Sequence, residues 1–148
     1  KGLLSLMNEQ GRVINLSSAA QSSVDIDALS GKKTDLDDFE AYAQSKLAIT
    51  MWSRVLADEL GSQGPAIIAV NPGSLLASKM VKDGFGVAGN DLNIGVDILC
   101  RLALGDEFAD ASGQYFDNDK GHIADPHSDA LDAQKSEAVT NIVKSIKT

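Results

Sequence analysis

Two kinds of apolar patterning alternate along this chain: short β-branched runs, and longer stretches with helical spacing. Leu3, Leu4, Leu6 and Met7 predict the closing turns of a helix, stopped by Gly11. Arg12-Val13-Ile14-Asn15-Leu16 then predicts a buried parallel strand ending at Ser17-Ser18. Residues 19 to 37 are small, polar and acidic and predict a loop, with Asp37 or Asp38 as the cap of a helix over about 38 to 60. At 100° per residue, Tyr42, Lys46, Ile49, Trp52, Ser53, Leu56 and Leu60 share one broad face of that helix. Leu47, Ala48, Met51 and Val55 lie toward the other side, where Gln44, Arg54 and Asp58 are the interruptions. Such a helix is expected to be covered on two sides, with Trp52 facing a sheet.

Gly61 and Gly64 end the helix, and Ala66-Ile67-Ile68-Ala69-Val70 predicts a second buried strand, stopped by Asn71-Pro72-Gly73. Gly84, Gly86 and Gly89 predict a mobile segment. A helix follows over 93 to 104, carrying Ile94, Ile98, Leu99, Leu102 and Ala103, with Cys100 expected as buried filler. Gly113-Gln114-Tyr115-Phe116 predicts a third strand, residues 117 to 128 a loop, and 129 to 147 a final helix. Helices and strands in strict alternation imply an α/β fold: three parallel strands with helices on both faces, in a single domain over residues 1 to 148.

Composition narrows the function classes. The formal net charge is -8, from 13 basic and 21 acidic residues. With no basic stripe, this balance disfavours nucleic acid and anionic membrane partners. A single cysteine makes no internal disulfide, so a reducing, cytoplasmic setting is expected. No apolar run reaches the roughly 18 residues of a membrane span. His122 and His127, near Asp119 and Asp125, are loop residues from which no metal site is expected.

The candidate chemistry lies at Ser18, Tyr42 and Lys46. Tyr42 and Lys46 are four residues apart, hence on one helix face. A neighbouring ammonium and a helix N-terminus both favour a phenolate, which makes such a pair a plausible acid/base group for an alcohol or ketone. A serine at the C-terminal end of a parallel strand sits where ligands bind in open α/β sheets. Each feature alone is a common coincidence, a strand-end cap or a turn.

Their combination is more specific. Gly11 to Ala20 resembles the strand that ends in the active-site serine of the short-chain dehydrogenases/reductases. Tyr42-Ala43-Gln44-Ser45-Lys46 resembles that family's Tyr-x-x-x-Lys helix, and Val70-Asn71-Pro72-Gly73 resembles the Pro-Gly turn after its next strand. All three come in the family's order, and the resemblance runs from about residue 1 to 125. Ser18 and Tyr42 are separated by 24 positions, a longer gap than many members have. With Asn71-Pro72-Gly73 present and Ala19-Ala20-Gln21 where nucleotide-sugar epimerases and dehydratases carry Val-Tyr-Gly, the retinol-dehydrogenase-like subgroup, which includes many bacterial reductases, is the better match of the two.

The resemblance implies the C-terminal portion of a Rossmann-type sheet and an oxidoreductase that interconverts an alcohol and a carbonyl with NAD or NADP. Ser18 would orient the substrate oxygen, Tyr42 would be general acid or base, and Lys46 would hold the nicotinamide ribose. Pro72, Gly73, Ser74 and Leu75 would lie against the nicotinamide, and Ser78 would take the place of the threonine that many relatives use for the carboxamide. Gly84, Gly86 and Gly89 would be hinges of a substrate lid. Leu47, Met51 and Val55 would pack against a partner subunit, giving a homodimer or homotetramer through the Tyr42 helix. The family's glycine-rich turn, its Asn-Asn-Ala-Gly stretch and a further active-site asparagine are not in this sequence, so the dinucleotide-binding half is expected to be missing and this half inactive alone. Two other expectations stand beside that one: a non-catalytic remnant serving as a binding or oligomerisation module, and an extended-type nucleotide-sugar enzyme.

Overall fold

The short β-branched runs become adjacent strands of a sheet with helices on both faces, because strands with apolar side chains on both faces are stable only between two layers of helix. A computed structural model describes residues 3–146; both chain ends, including Lys147 of the predicted last helix, lie outside the described residues. The elements are β1 (Arg12–Leu16), α1 (Ile26–Leu29), α2 (Asp38–Leu60), β2 (Ala66–Asn71), α3 (Lys79–Phe85), α4 (Leu92–Leu104), β3 (Tyr115–Asp117), β4 (His122–Ile123) and α5 (Ala133–Ser145). The sheet order is β1-β2-β3-β4, parallel from β1 to β3.

Strand β2 shows why the sheet has two covered faces. Ile67 packs with Leu56 and Ala57 of α2, while Ile68 and Val70 pack with Ile98 and Leu102 of α4, Phe108 and Phe116. Trp52 is half-buried against the α2 side of this core. The second apolar side of α2 is also covered: Leu47, Ala48 and Met51 pack on Ala130 and on Val139 of α5. Leu47 and Met51 are 0% and 1% exposed. The face expected to meet a partner subunit is thus occupied, at these two positions, by the chain's own last helix.

Several expectations are corrected. Leu4–Leu6 is one 3-10 turn, not the end of a longer α-helix. The predicted loop over 117 to 128 contains β4, which pairs antiparallel with β3, so the sheet has four strands where three were expected. Only two residues form β4, too few for any alternation to show. The loop over 19 to 37 contains α1, which Asp25 caps by accepting from Asp27 and Ala28 N–H. The predicted final helix is split: a 3-10 turn over Ser128–Leu131 precedes α5, whose cap is Asp132. Cys100 is exposed, because α4 turns Gly95, Ile98 and Leu102 inward.

Among the three glycines expected as hinges, Gly84 lies inside α3 and Gly86 is its left-handed C-cap. Gly89 lies against the backbone of the Pro-Gly turn's far arm, where an added Cβ would sit 2.7 Å from Ala77 Cα. Two of the three positions therefore have local structural roles. No helix among the described residues is long and apolar enough to cross a membrane.

Candidate active site

Helix α2 carries Tyr42 and Lys46 near its start. Asp37 fixes that start by accepting from Phe39 and Glu40 N–H at 2.9 Å each. Gln44, an apparent interruption in the pattern, is buried and accepts from Asp25 N–H, tying the same segment to α1. One turn apart, Tyr42 and Lys46 meet: Lys46 Nζ lies 5.3 Å from the centre of the Tyr42 ring. The ammonium also donates to the carbonyl of Leu16, the last residue of β1, at 3.0 Å. The dyad is thereby fastened to the C-terminal end of β1, the sheet edge at which ligands enter α/β folds.

The two serines after β1 have different situations. Ser17 is 4% exposed; its Oγ bonds Thr50 Oγ1 at 2.7 Å and donates to the Lys46 carbonyl. That hydroxyl is committed to holding β1 on α2. Ser18 is half-buried, and its Oγ accepts from Ala20 N–H. Of the two, Ser18 has the hydroxyl with its proton still to give.

The Asn71-Pro72-Gly73 turn is held from within. Asn71, fully buried at the end of β2, donates to Asp117 and Asp119 and accepts from Gly73 N–H. Asp119 in turn accepts from Ser74, through both its N–H and its hydroxyl. Asn118 donates to the Pro72 carbonyl at 2.9 Å and to the Ile94 carbonyl of α4. Burial pushes the Asp119 carboxyl up, but the bonds from Ser74 and Asn71 outweigh it and hold the group below its ordinary range. Leu75 has φ of 51°, a strained value for a residue with a side chain, and Leu75 O and Ala77 N–H both bond Asn90. Ser78 caps α3 by accepting from Val81 N–H.

The structure thus brings Tyr42, Lys46 and the end of β1 together. Ser78 is set apart from them in role, as a helix cap. The hydroxyls of Ser18 and Tyr42 with the Lys46 ammonium make a donor set suited to a carbonyl oxygen and a ribose diol, so the residues present fit the nicotinamide side of a dinucleotide. The N–H groups of Gly73 and Ser74 are already bonded, which leaves that turn a packing surface. Among the described residues no glycine-rich turn joins a strand to a helix in the way that cradles a pyrophosphate. A groove of about 500 Å³ between α2 and α5, lined by Arg54, Asp58, Glu137 and Lys144 among others, is a separate feature. It begins roughly 12 Å along α2 from Lys46, at the helical rise per residue.

Sequence reasoning missed Gln21, Tyr115, Asp117, Asn118 and Asp119. A signal for three of them was present. An asparagine closing an otherwise apolar buried strand must find partners, and Asp117-Asn118-Asp119 follows the next strand at the same end of the sheet.

The chain is 29% identical to retinol dehydrogenase 13 of Homo sapiens, over 80% of this chain and 40% of that protein. It is 26% identical to retinol dehydrogenase 13 of Mus musculus with the same coverage. The chain therefore spans about two-fifths of the length of these curated relatives. No protein-family model matches it.

Proposed function

Because the chain is a relative of the short-chain dehydrogenases/reductases, we propose that it carries the catalytic side of an oxidoreductase acting on an alcohol/carbonyl pair. The observation that carries this reading is the reach of Lys46, which lies beside the Tyr42 ring and bonds the last carbonyl of β1, next to Ser17-Ser18.

NAD or NADP, when bound, accepts or supplies the hydride. The remaining work belongs to the chain. In reduction, the Tyr42 hydroxyl gives its proton to the carbonyl oxygen of the substrate; in oxidation, Tyr42 takes the proton of the alcohol. Ser18 Oγ donates a hydrogen bond to the same oxygen and so fixes its direction. The Lys46 ammonium, already turned toward the end of β1, would hold the ribose hydroxyls. Pro72, Gly73, Ser74 and Leu75 would form a wall for the nicotinamide, in a turn that Asp119 holds through Ser74.

In the complete protein, Tyr42→Phe removes the transferable proton but little of the bulk. Turnover is expected to fall by about a hundredfold or more, in line with the worth of general acid–base groups, with cofactor affinity by fluorescence titration nearly unchanged. Retained turnover would take Tyr42 out of the role. A second reading, a non-catalytic module, is favoured by one observation: among the described residues β1 pairs with β2 alone, leaving its other edge open. Absence of turnover in the complete, cofactor-loaded protein would favour it.

A further inference from the structure

We propose that Tyr115 is a positioning residue for Ser18, acting through the Ser18 carbonyl and not on substrate. The proposal rests on the oxidoreductase reading above, since the group it would aim is the Ser18 hydroxyl.

Strands β1 and β3 are not neighbours; β2 lies between them. Tyr115 pairs in register with Ala69 of β2, so the two side chains share a sheet face. Ala69 presents only a methyl group there. The Tyr115 side chain, 3% exposed, spans to the far side of β2 and donates its hydroxyl to the Ser18 carbonyl at 3.0 Å. The same carbonyl accepts from Gln21 Nε2 at 2.9 Å, and Gln21 Oε1 accepts from His127 N–H. Both lone pairs of that carbonyl are therefore in use, which fixes the plane of the peptide after Ser18 and, with it, the direction of the Ser18 side chain.

This bond completes a series. Lys46 holds the carbonyl of Leu16, Thr50 and the Lys46 carbonyl hold the hydroxyl of Ser17, and Tyr115 with Gln21 hold the carbonyl of Ser18. Helix α2 fastens the two residues before Ser18, and β3, with Gln21 of the following loop, fastens the Ser18 carbonyl itself. Burial, with the charges of Asp117 and Asp119 nearby, pushes the Tyr115 phenol well above its ordinary range. It stays a donor at every pH at which the dyad could work. A buried tyrosine needs some acceptor. Here the acceptor is the backbone of the candidate catalytic serine, and a misplacement of about 1 Å at such a group can cost up to about a hundredfold in rate.

The test is a double-mutant cycle in the complete protein: Tyr115→Phe, Ser18→Ala and both together, with kcat and KM for substrate and cofactor. Single-turnover hydride transfer reads the slow Ser18→Ala background. Tyr115→Phe is expected to lower kcat about tenfold, to leave the cofactor KM nearly unchanged, and to add no further loss once Ser18 is alanine. A wild-type kcat, or the same loss in both backgrounds, would overturn the proposal, because a merely structural role acts regardless of Ser18. Should Tyr115→Phe fail to fold, Gln21→Met removes the other donor to the same carbonyl. It runs through the same cycle: a loss that vanishes when Ser18 is alanine supports the proposal, and an unchanged kcat or an additive loss overturns it. Failure of the underlying reading is separable: it shows as retained turnover in Tyr42→Phe, whereas an inactive Tyr42→Phe with additive Tyr115 and Ser18 losses sinks the positioning role alone.

Discussion

Asp119 shows how one exposed carboxylate can organise a turn that it does not belong to. It accepts from Ser74 twice and from Asn71 once, linking the loop after β3 to the turn after β2. Its carboxyl titrates below the usual carboxylate range, so its contribution to stability is full above the unfolded-state value of 3.8 and is lost as pH falls through the lower folded value. Thermal unfolding of Asp119→Asn beside the parent should show the parent ahead at neutral pH and the gap narrowing below about pH 4. A gap constant down to pH 2 would mean that the carboxylate charge is not what the turn uses. At this scale the sequence was only partly legible. Tyr42, Lys46 and Pro72-Gly73 can be singled out as candidates because their spacing is local, whereas Tyr115 reaches Ser18 across 97 positions and no pattern in the chain announces such a contact. The strained backbone at Leu75 was hidden for a similar reason: a leucine gives no sign that the fold will require a left-handed residue there.

Among the elements, α2 is the longest. Its 23 residues run from the Asp37 cap to Gly61, and the apolar positions on both sides are used, one against β2 and the other against α5. Met51 packs in the α5 contact, so Met51→Ala should cost about 2–5 kcal/mol by chemical denaturation, the range for emptying a buried site of this size. A loss below about 0.5 kcal/mol would show that α5 collapses onto the gap or contributes little. Element by element, β1, α2, β2 and α4 could be read within a residue or so, because each holds a long or strongly β-branched run between clear stops. The elements that escaped were short ones. Two residues of β4, four of α1 and seven of α3 carry too little periodicity to rise above their polar surroundings. The break between the Ser128–Leu131 turn and α5 escaped too, since Asp132 reads equally well as a helical surface residue and as a cap.

For the molecule as a whole, the alternation of strand and helix was enough to imply a parallel sheet between helical layers, and the pairing of β1, β2 and β3 agrees with it. The sheet is unequal at its two ends. The β4 side ends in a strand of two residues, while among the described residues the outer edge of the longer β1 is unpaired, and α4, which packs on β1, exposes Leu92, Ile94, Val96 and Leu104. Open strand edges and exposed apolar side chains promote association. The 148-residue chain by itself should therefore show a mass by light scattering that rises with concentration, and Val96→Lys should reduce that rise. A monomeric mass at every concentration would argue that the edge is protected in some other way.

The candidate dyad sits in the opening turns of a helix whose middle is packed into the core. Helix ends open far more often than helix centres, so the order of Tyr42 and Lys46 is governed by a local opening equilibrium and not by the global unfolding free energy. Asp37, Gln44 and the bond from Lys46 to Leu16 are what oppose that opening. The molecule can therefore lose its reactive geometry while every strand is still paired, and amide exchange over residues 39 to 46 would report the health of the site more faithfully than any melting temperature.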